Sequence, residues 1–247
     1  MWQNQNNLST YNKMRVRKGE EMNNIDERTG KPKIILHLCA KMGSDSQPYA
    51  DAGYDRKIIG IPDYDITKTL IHGDYIYFEG NKSLTLKKNE IYGIIANPVC
   101  TMFSLARTRA KTPRDLKEGM ILVKECLSII WECQYDYDIK KYGYKTSLKF
   151  WCIENPYGFL NFFLGKPAMI YQPYEFGEVY SKKTCLWGNF NIPPILPLFS
   201  KKNLFSLAGH ATMTEIKSIT ALTSSKRVDL RSKCSEKFAK AFFEANQ

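Results

Sequence analysis

Three short apolar runs, each ending on residues unusual at a strand end, constrain this chain more than any other feature. Ile34-Ile35-Leu36-His37-Leu38 runs into Cys39-Ala40, Ile91 to Ala96 into Asn97-Pro98-Val99-Cys100, and Leu148 to Ile153 into Glu154-Asn155-Pro156. Apolar runs without alternation suit strands buried on both faces, and such strands belong to parallel sheets covered by helices. Lys57 to Ile61 reads as a further strand.

Helical patterns separate these runs. Cys39 to Ser46 reads as a turn leading into a short helix, Gln47 to Ala52, which Gly53 closes. Thr112 reads as an N-cap with Pro113 at the first helical position and Asp115 completing a box-like pattern. Leu116, Met120, Val123, Leu127 and Ile130 then recur at helical spacing. A small helix is expected over Gly158–Leu164, a strand over Ala168–Tyr171, and an amphipathic helix over Ser235–Ala245 with Phe238, Ala241 and Phe242 inward. Residues 62–90 are mixed and polar, with strand-like pieces such as Tyr75 to Phe78. Strands alternating with helices predict a doubly wound α/β sheet, in which ligands sit beyond the carboxyl ends of the strands. All three unusual strand ends should then meet in one crevice.

The formal net charge of +11 favours a polyanionic partner, because neutralising phosphates releases counterions. The seven cysteines include no CxxC pair, so neither a zinc site nor a disulfide framework is expected. No apolar stretch reaches 18 residues and no signal-peptide core is present, which points to a cytoplasmic protein without a membrane segment.

The order of the strand ends resembles that of the DNA cytosine C5-methyltransferases, and of their compact phage-type members in particular. Leu38-Cys39-Ala40-Lys41-Met42-Gly43 is similar to the family's small-residue loop, with Lys41 where a glycine usually stands. Pro98-Val99-Cys100-Thr101-Met102-Phe103-Ser104 is similar to its Pro-Pro-Cys segment, with Val99 in place of the second proline. Glu154-Asn155-Pro156 matches its Glu-Asn mark, and Tyr171 to Tyr174 with Lys182 to Trp187 resembles its Gln-x-Arg-x-Arg region, Lys182 and Thr184 standing at the arginines. The likeness covers residues 33–190 well and the rest weakly. It implies a Rossmann-like catalytic domain over 33–190 preceded by a polar arm, 1–32. A reduced recognition region, 191–230, and a C-terminal helix region, 231–247, that packs back would follow.

The activity so implied is methyl transfer from S-adenosylmethionine to carbon 5 of a flipped cytosine in DNA, by a monomer without a metal. Cys100 would add as a thiolate to carbon 6, favoured by a neighbouring helix N-terminus, and Glu154 would hold the base as acid/base partner. Leu38, Cys39, Ala40, Lys41, Met42, Gly43, Asp45, Ile61, Pro98 and Ser232 would hold the cofactor, with Asp63 or Asp65 as its ribose acid. Ser104, Arg107, Arg109, Asn155, Lys182 and Thr184 would face DNA; Lys111 and Arg114 are further candidates for phosphates. Two other readings stay open. An amino-methyltransferase would use Asn97-Pro98 at the same strand end, and a non-catalytic nucleic-acid-binding relative would use the charge alone.

Overall fold

A computed structural model describes residues 24–27, 29–105, 107, 110–135, 148–178, 181–195 and 233–247. A two-stranded ladder, β1 (Ile25–Asp26) with β2 (Lys31–Pro32), lies inside the expected N-terminal arm. The first apolar run becomes an inner strand of a six-stranded sheet, β3 (Ile34–Leu38), with β4 (Asp55–Ile59) beside it at the sheet edge. An antiparallel three-stranded sheet of β5 (Asp65–His72), β6 (Tyr75–Glu79) and β7 (Ser83–Lys87) intervenes. β8 (Ile91–Ala96), β9 (Phe150–Pro156), β10 (Met169–Tyr171) and β11 (Thr184–Asn189) complete the main sheet. Its order is β10-β11-β9-β8-β3-β4, parallel from β9 to β4 and antiparallel at β10 and β11. The protein is therefore an α/β protein built on a mixed sheet.

The helices are α1 (Gln47–Asp51), α2 (Leu116–Gln134), α3 (Asn161–Leu164) and α4 (Glu236–Asn246). Alternate residues of β3 face opposite layers, as strand geometry requires. Ile34, Leu36 and Leu38 join Cys126, Ile129 and Ile130 of α2, together with Ile76 and Phe78 of the smaller sheet. Ile35 joins Phe150, Tyr49, Phe238 and Phe242 on the other face. Coverage of both faces is why the run carries no polar alternation. The C-terminal helix closes the second layer: Phe238 stacks on Tyr171 with ring centroids 3.8 Å apart. The Asn246 side chain staples the end of α4 to the backbone of Asn191, accepting at 2.7 Å and donating at 2.9 Å.

Several boundaries differ from the sequence expectation. β4 spans Asp55–Ile59 rather than Lys57–Ile61, because Gly60 packs on the Ala40 carbonyl: a Cβ there would lie 2.4 Å from that oxygen. The long helix starts at Leu116, capped by Asp115, whose carboxylate accepts from the Glu118 amide at 2.8 Å. Thr112 and Pro113 are instead held by Arg107, which donates to Thr112 Oγ1 and the Pro113 carbonyl. β9 does not stop at Asn155-Pro156 but runs through them, since β11 pairs Thr184 with Pro156 and Leu186 with Glu154. No helix among the described residues is long and apolar enough to cross a membrane.

The aromatic layer under α4 should dominate local stability. Phe238→Ala is expected to cost about 3–5 kcal/mol, measured by denaturant unfolding. A loss below about 1 kcal/mol would mean that α4 is not part of the core.

Candidate active site

The parallel strands β4, β3, β8 and β9 bring their carboxyl ends to one edge. From β3 the chain moves to β4 on one side and later to β8 on the other, so the order reverses between β3 and β8. That reversal opens the crevice where open α/β sheets hold ligands. His37 stands at the end of β3, Asn97 directly after β8, Glu154 near the end of β9, and Asp45 and Ser46 in the 3₁₀ turn Ser44–Ser46.

These side chains form one hydrogen-bonded network. The Asn97 amide nitrogen donates to Asp45 Oδ2 at 2.8 Å and to Glu154 Oε2 at 3.2 Å. Its oxygen lies 2.6 Å from His37 Nε2, and His37 Nδ1 lies 2.8 Å from Ser46 Oγ. Lys182 completes the set, its ammonium 3.6 Å from Glu154 Oε1. The Cys234 backbone amide donates to Ser44 Oγ at 3.0 Å, tying the start of the C-terminal segment to the same turn. A small cavity, with room for roughly one water molecule, lies between Asp45, Glu154 and the α4 residues Phe238 and Phe242.

Burial sets the electrostatics. The Glu154 side chain is only 14% exposed, and desolvation pushes its carboxyl above the usual range, against the pull of Lys182 and the Asn97 hydrogen bond. Burial, with Glu154 adding to it, also pushes the Cys100 thiol up, while Lys182 pulls it down. Burial and Glu154 together thus disfavour the thiolate that the sequence reading expected this setting to favour. The helix N-terminus that was to favour the thiolate starts only at Leu116, and Cys100 instead opens a turn whose Phe103 and Ser104 amides bond back to its carbonyl. Desolvation likewise lowers the basicity of His37, so its ring is neutral.

The loops around the crevice are packed backbone to backbone. Cys39 takes a left-handed φ of 56°, sparsely allowed for a residue with a Cβ, and the Ala40 amide donates to the Ile59 carbonyl at 3.3 Å. Gly43, at φ 66°, has no room for a side chain against Ile58. Met42, Ile61 and Val99 remain exposed on the loops after β3, β4 and β8. Arg114 clamps the turn that follows Cys100, donating to the Met102 and Ser104 carbonyls at 2.8 Å each.

The structure gathers Cys100, Glu154, Asp45 and Lys182, all singled out from sequence, at one strand edge. Other assignments change. Asn155 and Thr184 do not face DNA: both are fully buried, Asn155 donating to the Pro98 carbonyl at 2.9 Å and Thr184 to the Lys182 carbonyl at 2.8 Å. Lys182 turns inward to Glu154 rather than outward to phosphates. Asp63 pairs with Lys82 at 2.7 Å, and Asp65 accepts from the Thr67 hydroxyl and amide, so both acids are engaged at the smaller sheet. Arg107 and Arg114 are spent on the loop that carries them. Ser104 bridges to Gly158, Leu38 and Pro98 are buried, and Lys41 is exposed. Arg109 and Ser232 lie outside the described residues.

His37, Ser46 and Asn97 were missed as site residues. The signal was present for one of them: a histidine in an otherwise apolar buried strand needs polar partners. No group among the described residues is arranged to hold a metal ion. No protein-family model matches the chain, and no curated protein sequence matches it.

The coupling of Glu154 to Cys100 has a measurable sign. The midpoint of Cys100 alkylation by iodoacetamide, followed by peptide mass spectrometry across pH, is expected above the usual thiol value of 9.0. Glu154→Gln removes the negative charge and should move that midpoint to lower pH; an unmoved midpoint would separate the two groups.

Proposed function

We propose that this chain is an S-adenosylmethionine-dependent DNA cytosine C5-methyltransferase on a doubly wound, Rossmann-like sheet, with Cys100 as nucleophile and Glu154 as the acid that holds the base. The observation that carries this reading is that Cys100 and Glu154 stand on the neighbouring strand ends of β8 and β9, beside the order reversal, close enough for Glu154 to push up the Cys100 thiol. The matching segments over residues 33–190 supply the family; the geometry supplies a reason for its residue types.

A cytosine ring is a poor carbon nucleophile. Addition of the Cys100 sulfur to carbon 6, with loss of the thiol proton, makes carbon 5 enamine-like. Burial raises the proton affinity of the Glu154 carboxyl, which suits a group that shares a proton with N3 as the ring accepts the sulfur. Once carbon 5 has taken up a methyl group, transfer of its remaining proton to water lets the carbon 6–sulfur bond break; the sulfur leaves with that electron pair as a thiolate and takes a proton from water to become the thiol, and N3 returns its proton to Glu154. Lys182 favours the charged form of both groups and so offsets part of the penalty that burial places on a thiolate and a carboxylate here.

The residues present fit the cofactor. A dinucleotide would set its pyrophosphate on a helix N-terminus, but here the turn after β3 carries the acid Asp45 and α1 has only five residues. An acid at that point suits a ligand with cationic groups, and exposed Met42, Ile61 and Val99 offer apolar contact for a purine ring. When bound, S-adenosylmethionine supplies the methyl electrophile. DNA as partner is supported by the net charge of +11 and by an exposed aromatic edge beside Glu154, where Lys183 lies 3.8 Å over the Tyr157 ring and Phe162 is exposed. An amino-methyltransferase would need Asn97 to face a target amine, but the Asn97 oxygen is turned to His37.

The test is methyl transfer from labelled S-adenosylmethionine to DNA, followed by nucleoside analysis. Wild type is expected to form 5-methylcytosine, Cys100→Ser to form none, and Glu154→Gln to be slower by about 100-fold or more. Methyl transfer that survives Cys100→Ser, or its absence from wild type on every DNA tested, would overturn the reading.

A further inference from the structure

We propose that Asn97, pinned by His37, is a positioning residue that yokes the acid on the cofactor side, Asp45, to the acid on the base side, Glu154. The inference rests on the methyltransferase reading for the roles of the two acids, but the yoke is drawn from geometry alone. Four segments meet in it: the end of β3, the Ser44–Ser46 turn, the residue after β8, and β9.

The hydrogen-bond geometry fixes the direction of the Asn97 amide. Two carboxyl groups lie on the nitrogen side of the Asn97 amide, at 2.8 and 3.2 Å, and each takes one of its two N–H groups. The amide oxygen therefore faces His37 Nε2, which must carry the ring proton to donate at 2.6 Å. In the neutral ring Nδ1 is then an acceptor, and the Ser46 hydroxyl donates to it at 2.8 Å. Ser46 is itself fully buried and also lies 3.2 Å from the Gly43 carbonyl, in the turn that carries Asp45. The turn thus reaches Asn97 twice, once through the Asp45 carboxylate and once through Ser46 and His37. A reversed Asn97 amide would set its oxygen against two carboxylates, so the ring proton of His37 fixes the direction of every bond beyond it.

The consequence is control over Glu154. Lys182, from the segment before β11, and Asp45 are the charged groups facing it. The Cys100, Cys152, Cys185 and Cys234 thiols and the Tyr171 phenol are also in its surroundings, all pushed up by burial and neutral. Asp45 disfavours the charged carboxylate, whereas the Asn97 N–H favours it. Asn97 also fixes Glu154 Oε2, leaving Oε1 toward Lys182. Without the yoke, Glu154 gains rotational freedom and its ionisation moves to higher pH.

Three variants test this: Asn97→Leu, which removes both donors, His37→Gln and His37→Asn. A glutamine amide reaches the position of Nε2 and keeps the donor to Asn97; an asparagine amide reaches only the position of Nδ1. Two readouts are used, kcat for methyl transfer and the Glu154 carboxyl titration by ¹³C NMR on glutamate-labelled protein, assigned by its loss in Glu154→Gln. Asn97→Leu and His37→Asn should lower kcat about tenfold or more and raise the titration midpoint, and His37→Gln should restore both. A merely structural role would penalise both amides at His37 alike, and that result overturns the proposal, as does an unmoved midpoint in Asn97→Leu. If Asn97→Leu does not fold, Asn97→Ser, with a donor too short to span both acids, takes its place. A raised midpoint in a protein whose wild type transfers no methyl group would sink the methyltransferase reading and leave the yoke standing.

Discussion

The pairing of β3 with a parallel neighbour on each side is the constraint on which the remaining structure depends. β3 is laddered to β4 and β8 and covered on both faces, so its side chains have no access to water. Four of its five residues are aliphatic, and the fifth, His37, sits where its two ring nitrogens meet Ser46 and Asn97. A buried imidazole without partners would cost on the order of 1–3 kcal/mol. With partners on two other segments it ties the turn after β3 to the end of β8. The sheet order reverses at that same place, so the central parallel ladder and the polar network share one location.

Within the crevice, desolvation outweighs the individual charges. It raises both Glu154 and Cys100, although Lys182 lies near both and acts in the opposite direction. Both shifts disfavour charge on the thiol and on the carboxyl. The Glu154–Lys182 contact at 3.6 Å is long for an ion pair and adds little stability by itself. Its importance lies in limiting how far burial can shift the Glu154 carboxyl and the Cys100 thiol.

The turn that carries Cys100 is shaped from outside. Arg114 donates to carbonyls on that turn and lies 4.9 Å over the Phe159 ring, while Gly158 lets the backbone at Phe103 approach to a distance that excludes a Cβ. Asn155 holds the same turn from within through the Pro98 carbonyl. Basic and polar residues that resemble phosphate contacts in the sequence are here the fixings of a loop, which leaves the exposed Tyr157, Lys183 and Phe162 as the surface chemistry beside the site.

The sequence by itself determined the inner strands, the amphipathic helices and the convergence of Cys100 and Glu154, because buried parallel strands show as apolar runs and their carboxyl ends must share one edge. It determined the helical character of α2 but not its start, since Asp115 and Thr112 are both competent caps and only the Arg107 contacts decide between them. Tertiary structure alone decided that Asn155, Thr184 and Lys182 turn inward, because that follows from the pairing of β9 with β11, a contact between segments about 30 residues apart that no local pattern encodes. It also decided the use of Asn97. In the chain Asn97-Pro98 reads as a strand stop; only the approach of β3, the Ser44–Ser46 turn and β9 makes its amide the junction of two acids.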